Sequence, residues 1–241
     1  MANKLTITGD LSASGTIYGT ISEAITCSVN TGTGTNNTFS GLCAAKDIQS
    51  GAQNNAAYGF NALCDLTTGC ENAAFGANSL TKLTTAKWNT AVGHAALEEN
   101  TSGILNTAVG RTALENNNTG CQNTALGAQA MQANTTGSKN TASGYLALHQ
   151  NTTAAYNTAV GTEAARFNTT GANNTAFGRA ALRHNTTGNC NTAVGNVSLY
   201  SNTTGLRNTG LGENTLTTNS TGNNNTALGW GAMINNTTGC R

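Results

Sequence analysis

The chain repeats one pattern of polar, small and apolar residues every 17 positions. Asn-Thr-Ala-x-Gly begins at Asn89 and recurs in steps of 17, with related copies from Asn55 to Asn225. The consensus is N-T-A-φ-G-x-x-A-L-x-x-N-T-T-G-x-x, in which φ is apolar in all of these copies but one. We number its positions 1 to 17 from the first Asn. An earlier copy begins at Asn37 if it carries one extra residue near Asn54.

This constant period predicts that equivalent residues of successive repeats stack on one another. Seventeen residues are too few for the two-helix unit of an α-solenoid, and Gly and Asn at fixed points disfavour helices. The repeat therefore predicts an all-β fold, a β-solenoid or β-roll of about 12 coils whose neighbours hydrogen-bond ~4.8 Å apart. Within each coil we expect two short strands, at N-T-A-φ-G and at x-A-L-x-x, joined by turns.

Several consensus residues are expected to form structural ladders along the stack. Gly at position 5 suits a turn that needs a positive φ or a close backbone approach. Asn at positions 1 and 12 can stack its side-chain amides from coil to coil, and Leu at position 9 forms an apolar row. The residues interpreted as structural are Asn89, Gly93, Leu97, Asn106, Gly110, Leu114, Asn134, Asn151, Asn168, Asn185 and Asn202.

Adjacent apolar positions, 3 with 4 and 8 with 9, suggest that several chains associate. Neighbouring residues of a strand point to opposite faces, so pairs such as Ala91–Val92 and Ala96–Leu97 predict burial on both faces of at least one strand. A parallel homotrimer is the expected assembly, because chains with one apolar long face can close around a threefold axis. The alternative is a monomeric coil in which one member of each pair lies in a turn.

The two ends of the chain carry separate expectations from the repeat region between them. Segment 1–36 lacks the 17-residue register and alternates apolar with small polar residues, which predicts short strands in an attachment or capping element. The solenoid shaft is assigned to residues 37–241. Its last coil has no atypical capping repeat, so we expect a capping or tip partner, or a segment removed or lying on another chain, to account for that end. The apolar members of segment 1–36 are Leu5, Ile7, Leu11, Ile17 and Tyr18.

Composition argues against several classes of protein. Lys and Arg number 11 against 10 Asp and Glu, so the chain lacks the positive charge on which sequence-independent nucleic-acid binding depends. No apolar run approaches the ~20 residues that span a bilayer, and no signal-peptide apolar region follows Met1. Asn, Thr and Gly form nearly half of the chain and Pro is absent, which fits stacked corners and uninterrupted hydrogen-bond ladders.

No catalytic, cofactor or metal site is expected from the sequence. The three histidines occupy different repeat positions, and the seven cysteines contain no C-x-x-C spacing. We expect free thiols, as in a protein assembled in a reducing compartment. Glu98, Glu99 and Glu115 lie on neighbouring coils, but at variable edge positions they are expected to be solvated charges rather than the acid pair of a glycosidase.

Aromatic residues at the variable positions 6, 10 and 17 are candidates for carbohydrate contact. Sugars stack on aromatic rings and hydrogen-bond to neighbouring amides. Trp230 on the last coil is the first candidate, although the same residue could instead seat a partner protein there. The candidate glycan-contact residues are Trp230, Tyr200 and Trp88.

The repeat over residues 37–241 resembles the repetitive region of phage and bacterial tail-fibre-domain proteins. The opening K-L-T-I-T-G-D-L-S-A-S-G-T-I-Y-G resembles the segment that leads the shaft of many phage tail fibres. More loosely, the repeat is similar to the heads of trimeric autotransporter adhesins. The resemblance implies a homotrimeric virion protein, assembled in the host cytoplasm, that docks on other tail or baseplate proteins through its N-terminal apolar residues. Its distal end would attach to a glycan of the host surface.

Two alternative functions follow from the same residues. A bacterial cell-surface trimeric adhesin would share the trimeric rod but would require export. An ice-binding solenoid would require a flat Thr-x-Thr face, whereas Thr135 and Thr136 are adjacent and would point to opposite sides of a strand. The sequence therefore favours the tail fibre.

Overall fold

In the computed structural model, which describes residues 35–240, the chain forms a β-solenoid of stacked coils. Twelve parallel strands of three residues make one sheet, in which each strand pairs with its sequence neighbours, and no helix occurs within 35–240. The predicted all-β solenoid is therefore confirmed. We number coil 1 from Asn37 and coils 2 to 12 from the regular position-1 residues, Asn55 to Asn225. The strands are β1 (Thr38–Ser40), β2 (Ala56–Tyr58), β3 (Ala73–Phe75), β4 (Thr90–Val92), β5 (Thr107–Val109), β6 (Thr124–Leu126), β7 (Thr141–Ser143), β8 (Thr158–Val160), β9 (Thr175–Phe177), β10 (Thr192–Val194), β11 (Thr209–Leu211) and β12 (Thr226–Leu228).

Each strand occupies repeat positions 2 to 4 and pairs in register with the same positions of the next coil. Ala91 of β4 pairs with Ala108 of β5, and Val92 pairs with Val109. Since strand side chains alternate between faces, position 3 points inward and position 4 points outward. Ala91 is fully buried, and it packs with the leucine row of position 9 in one continuous core.

Positions 7 to 11, predicted as a second strand, form turns instead. Positions 7 and 9 take left-handed backbone angles, as at Ala95 (φ 54°) and Leu97 (φ 54°). Their N–H groups bond in opposite directions along the stack: Ala95 donates to the carbonyl of Ala77 at 2.9 Å, and Leu97 to that of Ala113 at 3.1 Å. Left-handed angles cost L residues roughly 1–2 kcal/mol each, and the bonds to both neighbouring coils offset that cost.

This turn explains why positions 8 and 9 are both apolar. Ala96 and Leu97 both lie fully buried, because the left-handed residue brings its side chain to the same side as that of its neighbour. One member of this pair thus lies in a turn, as the monomeric alternative describes. The pair at positions 3 and 4 behaves as a strand, with Ala91 inside and Val92 about one-third exposed. Within the single chain, position 4 is therefore left uncovered.

Glycine at position 5 is required by both backbone angle and space. Gly93 has φ 132°, in a region that L residues with a Cβ rarely adopt. A Cβ built on Gly93 would lie 2.5 Å from the carbonyl oxygen of Gly110 in the next coil. The corner after each strand therefore brings the two backbones close enough to exclude any side chain.

Asparagine at position 1 joins each coil to the previous one and also closes its own coil. The backbone N–H and Nδ2 of Asn106 both donate to Oδ1 of Asn89, at 3.1 and 3.2 Å. Nδ2 of Asn106 also donates to the carbonyl of Gly120, across the same coil, at 2.8 Å. These side chains are buried from Asn55 to Asn225, so the ladder is an interior feature of the solenoid.

A second amide ladder runs through position 12 over part of the stack. Nδ2 of Asn151 donates to Oδ1 of Asn134 at 2.8 Å and to the carbonyl of Ala154 at 3.2 Å. This ladder extends from Asn100 to Asn236. At position 12 the interior therefore changes from apolar to hydrogen-bonded between coils 3 and 4, a change that the sequence analysis did not predict. The residues at position 12 of coils 1 to 3 are Ile48, Leu66 and Leu83.

The extra residue of coil 1 lies slightly earlier than the sequence predicted. Coils 1 and 2 are offset by 18 residues rather than 17. Nδ2 of Asn37 donates to the carbonyl of Ala52, one residue further along its coil than the equivalent bond in regular coils. The N–H of Gln49, at position 13 of coil 1, donates to the carbonyl of Thr67 at position 13 of coil 2, so the two coils match up to that residue. Gly51, just after it, has a positive φ of 110°. The insertion therefore lies between Gln49 and Ala52, a few residues before Asn54.

The predicted attachment segment 1–36 lies almost entirely outside the described residues. Its apolar members Leu5, Ile7, Leu11, Ile17 and Tyr18 are among those not described. At its end, Thr35 already pairs in parallel with Gln53, and Nδ2 of Asn36 donates to Oδ1 of Asn54. Across residues 35–240, no helix has the length and apolar character needed to cross a membrane.

Replacing an asparagine in the middle of the position-12 ladder should destabilise the fold more than replacing the first one. Asn151→Leu leaves Oδ1 of buried Asn134 without its donor and removes a bond of Asn168. Asn100→Leu instead extends the apolar row that ends at Leu83, and it orphans no buried acceptor. Because an unpartnered buried polar group costs about 1–3 kcal/mol, we expect the unfolding free energy to fall by about 2 kcal/mol more for Asn151→Leu. Urea unfolding measures the difference, and equal losses in the two variants would contradict the ladder's role.

Candidate functional site

A row of mostly apolar side chains is exposed on the outer face of the sheet. Residues at position 4 point away from the core because position 3 points inward, and most of them are more than one-third exposed. Tyr58 and Phe75 stack face to face, with ring centroids 5.1 Å apart and planes inclined by 6°. We call this row the apolar stripe. It consists of Tyr58, Phe75, Val92, Val109, Leu126, Ser143, Val160, Phe177, Val194, Leu211 and Leu228.

The surroundings of the apolar stripe distinguish it from scattered surface hydrophobes. Position 2, the other outward position of each strand, is Thr or Ala, so strands β2 to β12 carry no charge on this face. Charged residues begin beyond the corner at position 6, as at Arg111 and Arg179. A continuous uncharged apolar surface with polar edges is typical of a protein-interaction site.

The candidate site residues named from the sequence did not include the apolar stripe. The repeat shows that position 4 is apolar. Its outward orientation could also have been inferred from the sequence, because the residue at this position varies. Position 3 holds only Ala or Gly in coils 2 to 12, as close packing requires, whereas position 4 ranges from Ser143 to Phe177. A position whose side-chain volume varies freely from coil to coil does not face a closely packed interior.

A second cluster occupies the corner at positions 7, 10 and 11 of coils 8 to 10. Nε of Arg183 lies 2.9 Å from Oε2 of Glu163, and Nη1 of Arg166 lies 2.5 Å from Oε1 of the same carboxylate. The hydrogen bond from Arg183, followed by the nearby positive charges, holds the pKa of Glu163 below its usual range. We call this group the Arg–aromatic cluster: Glu163, Arg166, Phe167, Arg183, His184 and Tyr200.

The aromatic members of the Arg–aromatic cluster are engaged within the chain. The guanidinium of Arg183 lies 5.0 Å from the ring centroid of Phe167, and His184 stacks on that ring at 5.2 Å. Tyr200 contacts His184 edge to face at 4.8 Å, and its hydroxyl accepts a hydrogen bond from Nη1 of Arg183 at 3.1 Å. Burial, and then the charge of Arg183, lowers the pKa of His184. The cluster therefore acts as a brace between coils, although Nε of Arg166 is buried without a hydrogen-bond partner in the described structure.

The three candidate glycan-contact residues lie apart on the solenoid surface. Trp88, Tyr200 and Trp230 occupy positions 17, 10 and 6 of coils 3, 10 and 12. Nε1 of Trp88 donates to Oε2 of Glu71 at 3.1 Å, and the ammonium of Lys87 lies 4.1 Å from the ring centroid. Trp230 is 78% exposed on the last coil. The structure does not bring the three rings together into one binding surface.

The acidic residues considered from the sequence lie along one edge. Nζ of Lys82 lies 2.6 Å from Oε2 of Glu99. Burial, and next the charge of Glu115, raises the pKa of Glu98. Within the part of the chain that the structure describes, no group of three His, Cys, Asp or Glu residues is placed to hold a metal ion. The six described cysteines are free thiols, and the seventh, Cys27, lies outside the described range.

Stability should fall on mild acidification because of His149. Its Nε2 lies 3.0 Å from Oε1 of Gln132, and its buried Nδ1 has no partner within the described structure. Burial, and then the charge of Arg166, lowers the pKa of His149. The unfolded state therefore takes up a proton more readily than the folded state, so stability is complete above the unfolded value of about 6.5 and declines below it.

The variant His149→Gln should reduce the slope of this part of the pH profile and leave the contribution of His184, whose pKa is also lowered. The fold should accept the change, since Gln132 already occupies the same position in the preceding coil. Thermal unfolding between pH 7.5 and 5 measures the effect. The pKa of Glu163 is lowered, so its contribution is lost only in more acidic solution, outside this window. An unchanged slope in the variant would assign the pH dependence to other groups.

Comparison with protein-family models, curated proteins and solved structures finds no match to this chain.

Proposed function

We propose that this chain is a structural virion protein, a tail fibre or tail appendage of a bacteriophage that extends from the virion and mediates attachment to host-surface glycan. The sequence resemblance of the 17-residue repeat supports this assignment. The observation that carries it is the rod itself, a stack of twelve coils with an uncharged apolar stripe along its length. Such an element spans distance and associates with other chains.

The stack has the properties of a stiff spacer. Each coil is bonded to the next through the strand, the turn at positions 7 to 9 and one or two asparagine ladders. Eleven intervals of ~4.8 Å give the twelve strands a length of about 50–55 Å. Bending would have to break several of these bonds at once, so the fold suits a shaft that holds a binding tip away from its base.

The apolar stripe supports self-association of the chain. A band ~50 Å long and ~10 Å wide exposes about 500 Å², near the upper range of apolar patches on monomeric proteins. A stable interface buries about 800 Å² from each partner, so the flanking threonines of position 2 would add to the contact. Copies related by a threefold axis run parallel and bring equivalent stripes together, which supports the parallel homotrimer.

The two ends of the fibre would have separate roles. Segment 1–36, with its apolar residues Leu5, Ile7, Leu11, Ile17 and Tyr18, would dock on other tail or baseplate proteins. The far end would meet the host-surface glycan, and the exposed ring of Trp230 makes it the first residue to test there. Free thiols agree with virion assembly in the reducing cytoplasm of the host.

The outer face of the sheet supports ice binding less than it supports association with another protein chain. Ice recognition by a solenoid requires a flat face of regular height, as the sequence analysis assumed for a Thr-x-Thr array. Position 2 does present threonines, but position 4 beside it varies in size from Ser143 to Phe177. The resulting face is uneven, which suits packing against another protein chain.

Polar substitution along the apolar stripe should dissociate the assembly. Val92→Ser and Leu126→Ser together copy Ser143, which the fold already accepts at this position, so the solenoid itself should remain intact. The unaltered chain is expected to show three times its 24.4-kDa mass in native light scattering, and the double variant a single-chain mass. The matched control carries Ala77→Ser and Ala128→Ser at position 6. A single-chain mass for the unaltered protein would contradict the trimer.

Virion membership has a direct test. The chain should be detected by mass spectrometry in tailed virus particles purified from the source that carries its gene, and gold-labelled antibody should mark the tail.

Purified chain should also adsorb to the host cells, with adsorption reduced severalfold by Trp230→Ala and retained by Trp88→Ala as the control. Detection only in the bacterial envelope of virus-free cells would favour the adhesin instead.

A further inference from the structure

A polar groove runs along one side of coils 3 to 6. It lies between the row of position 11 and the rows of positions 13 and 14, beyond the turn that follows the strand. Its volume is about 560 Å³, within the range of about 300–1,000 Å³ that is typical of small-molecule sites. The residues that line it include Lys82, Glu99, Thr101, Asn116, Asn118 and Thr136.

The repeat departs from its consensus inside this groove. Position 13 is Thr or Ser in every coil from 2 to 12 except coil 5, where it is Asn118. In most of these coils the hydroxyl donates to the position-13 carbonyl of the next coil, as Thr135 does to Thr152 at 3.1 Å. Within residues 35–240 the side chain of Asn118 makes no such bond, so the stack loses a contact there. A local departure from the pattern that stabilises a fold is typical of a functional position.

The side chain of Asn118 belongs to a set of groups that can form further hydrogen bonds. Its Oδ1 accepts from the hydroxyl of Thr101 at 2.5 Å, and no residue of the described structure accepts from its Nδ2. The amide of Asn116 and the hydroxyl of Thr136 are exposed, and their side chains also have no partner in that part of the chain. Because an amide both donates and accepts, the groove offers hydrogen bonds of both kinds to one ligand.

The charges around the groove favour an uncharged ligand. Nζ of Lys82 lies 2.6 Å from Oε2 of Glu99, so these two charges largely cancel at one wall. Burial, and then the charges of Glu115 and Glu99, raise the pKa of Glu98, which shows that the three carboxylates lie close together. Their combined negative charge would repel an acidic ligand. None of the residues lining the groove is aromatic or wholly apolar, so an apolar ligand would gain little there.

We propose that this groove binds a neutral oligosaccharide through the amides of Asn116 and Asn118, with Thr136, Lys82 and Glu99 completing the hydrogen bonds. Sugar hydroxyls both donate and accept, which matches amide, hydroxyl, ammonium and carboxylate groups within one groove. Three coil intervals of ~4.8 Å give it a length of about 14 Å, enough for a few sugar units. The inference deepens the proposed function and rests on it for the class of ligand, since a fibre that attaches to glycan needs a site for it.

The groove would stay open in the proposed trimer. It is lined by residues of positions 11, 13 and 14, whereas the trimer contact is assigned to positions 2 and 4 of the strands. Three chains around a threefold axis would therefore present three equivalent grooves, and binding to a surface with repeated sugar units would be multivalent. This glycan contact is separate from Trp230, which lies on coil 12.

The test exposes the full chain to an array of bacterial surface oligosaccharides, printed as a neutral and an acidic set. Saturable binding of neutral members is expected, and titration calorimetry then measures the affinity for the strongest of them. Asn118→Thr restores the consensus residue of position 13, so it should weaken this binding about tenfold and leave the unfolding free energy unchanged or higher. A merely structural role for Asn118 predicts unchanged binding.

Two further variants locate the site. Asn116→Ala copies Ala133, the residue at position 11 of the next coil, and should weaken binding severalfold. The matched control is Asn189→Ser, at position 16 outside the groove. It copies Ser138, and both residues accept a backbone N–H of the preceding coil through the side chain. The control should bind normally.

The proposal is overturned if the chain binds no neutral oligosaccharide, if it binds only the acidic set, or if Asn118→Thr and Asn116→Ala both bind as well as the unaltered chain. The proposed function fails separately. Absence of the chain from virions, with neutral binding weakened in Asn118→Thr, would contradict the tail fibre and leave the groove as a glycan site. Presence in virions, with unchanged binding in both variants, would contradict only the groove.

Discussion

The buried amide of the position-1 asparagine is the interaction on which the solenoid depends. Through one side chain, Asn106 holds the start of its own strand against the preceding coil and ties that strand to the corner at Gly120. Since a buried amide without partners is costly, each asparagine needs its counterpart one coil away. The 17-residue period from coil 2 onward keeps these counterparts in register, and the ladder also continues across the extra residue of coil 1, where the N–H of Asn55 donates to Oδ1 of Asn37 at 2.9 Å.

The same constraint explains the apolar stripe. A coil such as the fourth, which buries two amides, the alanines of positions 3 and 8 and a leucine, has little interior space for anything larger. Bulky side chains at position 4 must point outward, and because the repeats are in register they line up along the rod. An exposed apolar row is therefore a consequence of the narrow coil, and it is the surface on which the proposed trimer depends.

Most of the charged and aromatic variation between coils lies at positions that the asparagine ladders do not occupy. Positions 6, 10, 11 and 17 hold the charged and aromatic residues, including the Arg–aromatic cluster, in which Arg183 links Glu163 to Tyr200 across three coils. At position 12 the interior changes once, from an apolar row in coils 1 to 3 to an amide ladder from Asn100 onward. Leu83 and Asn100 meet at this change, and both are fully buried.

The all-β class, the period, the number of coils and the glycine corner could be predicted from the repeat, because equivalent residues of a regular repeat stack on one another. The apolar character of position 4 was also visible in the sequence. That positions 7 to 11 are turns became clear only from the folded chain. The left-handed angles at Ala95 and Leu97 are stabilised by bonds to the coils above and below, which no local pattern reveals. The folded chain likewise decided which apolar residue of each pair is buried, since that depends on how the chain closes into a coil.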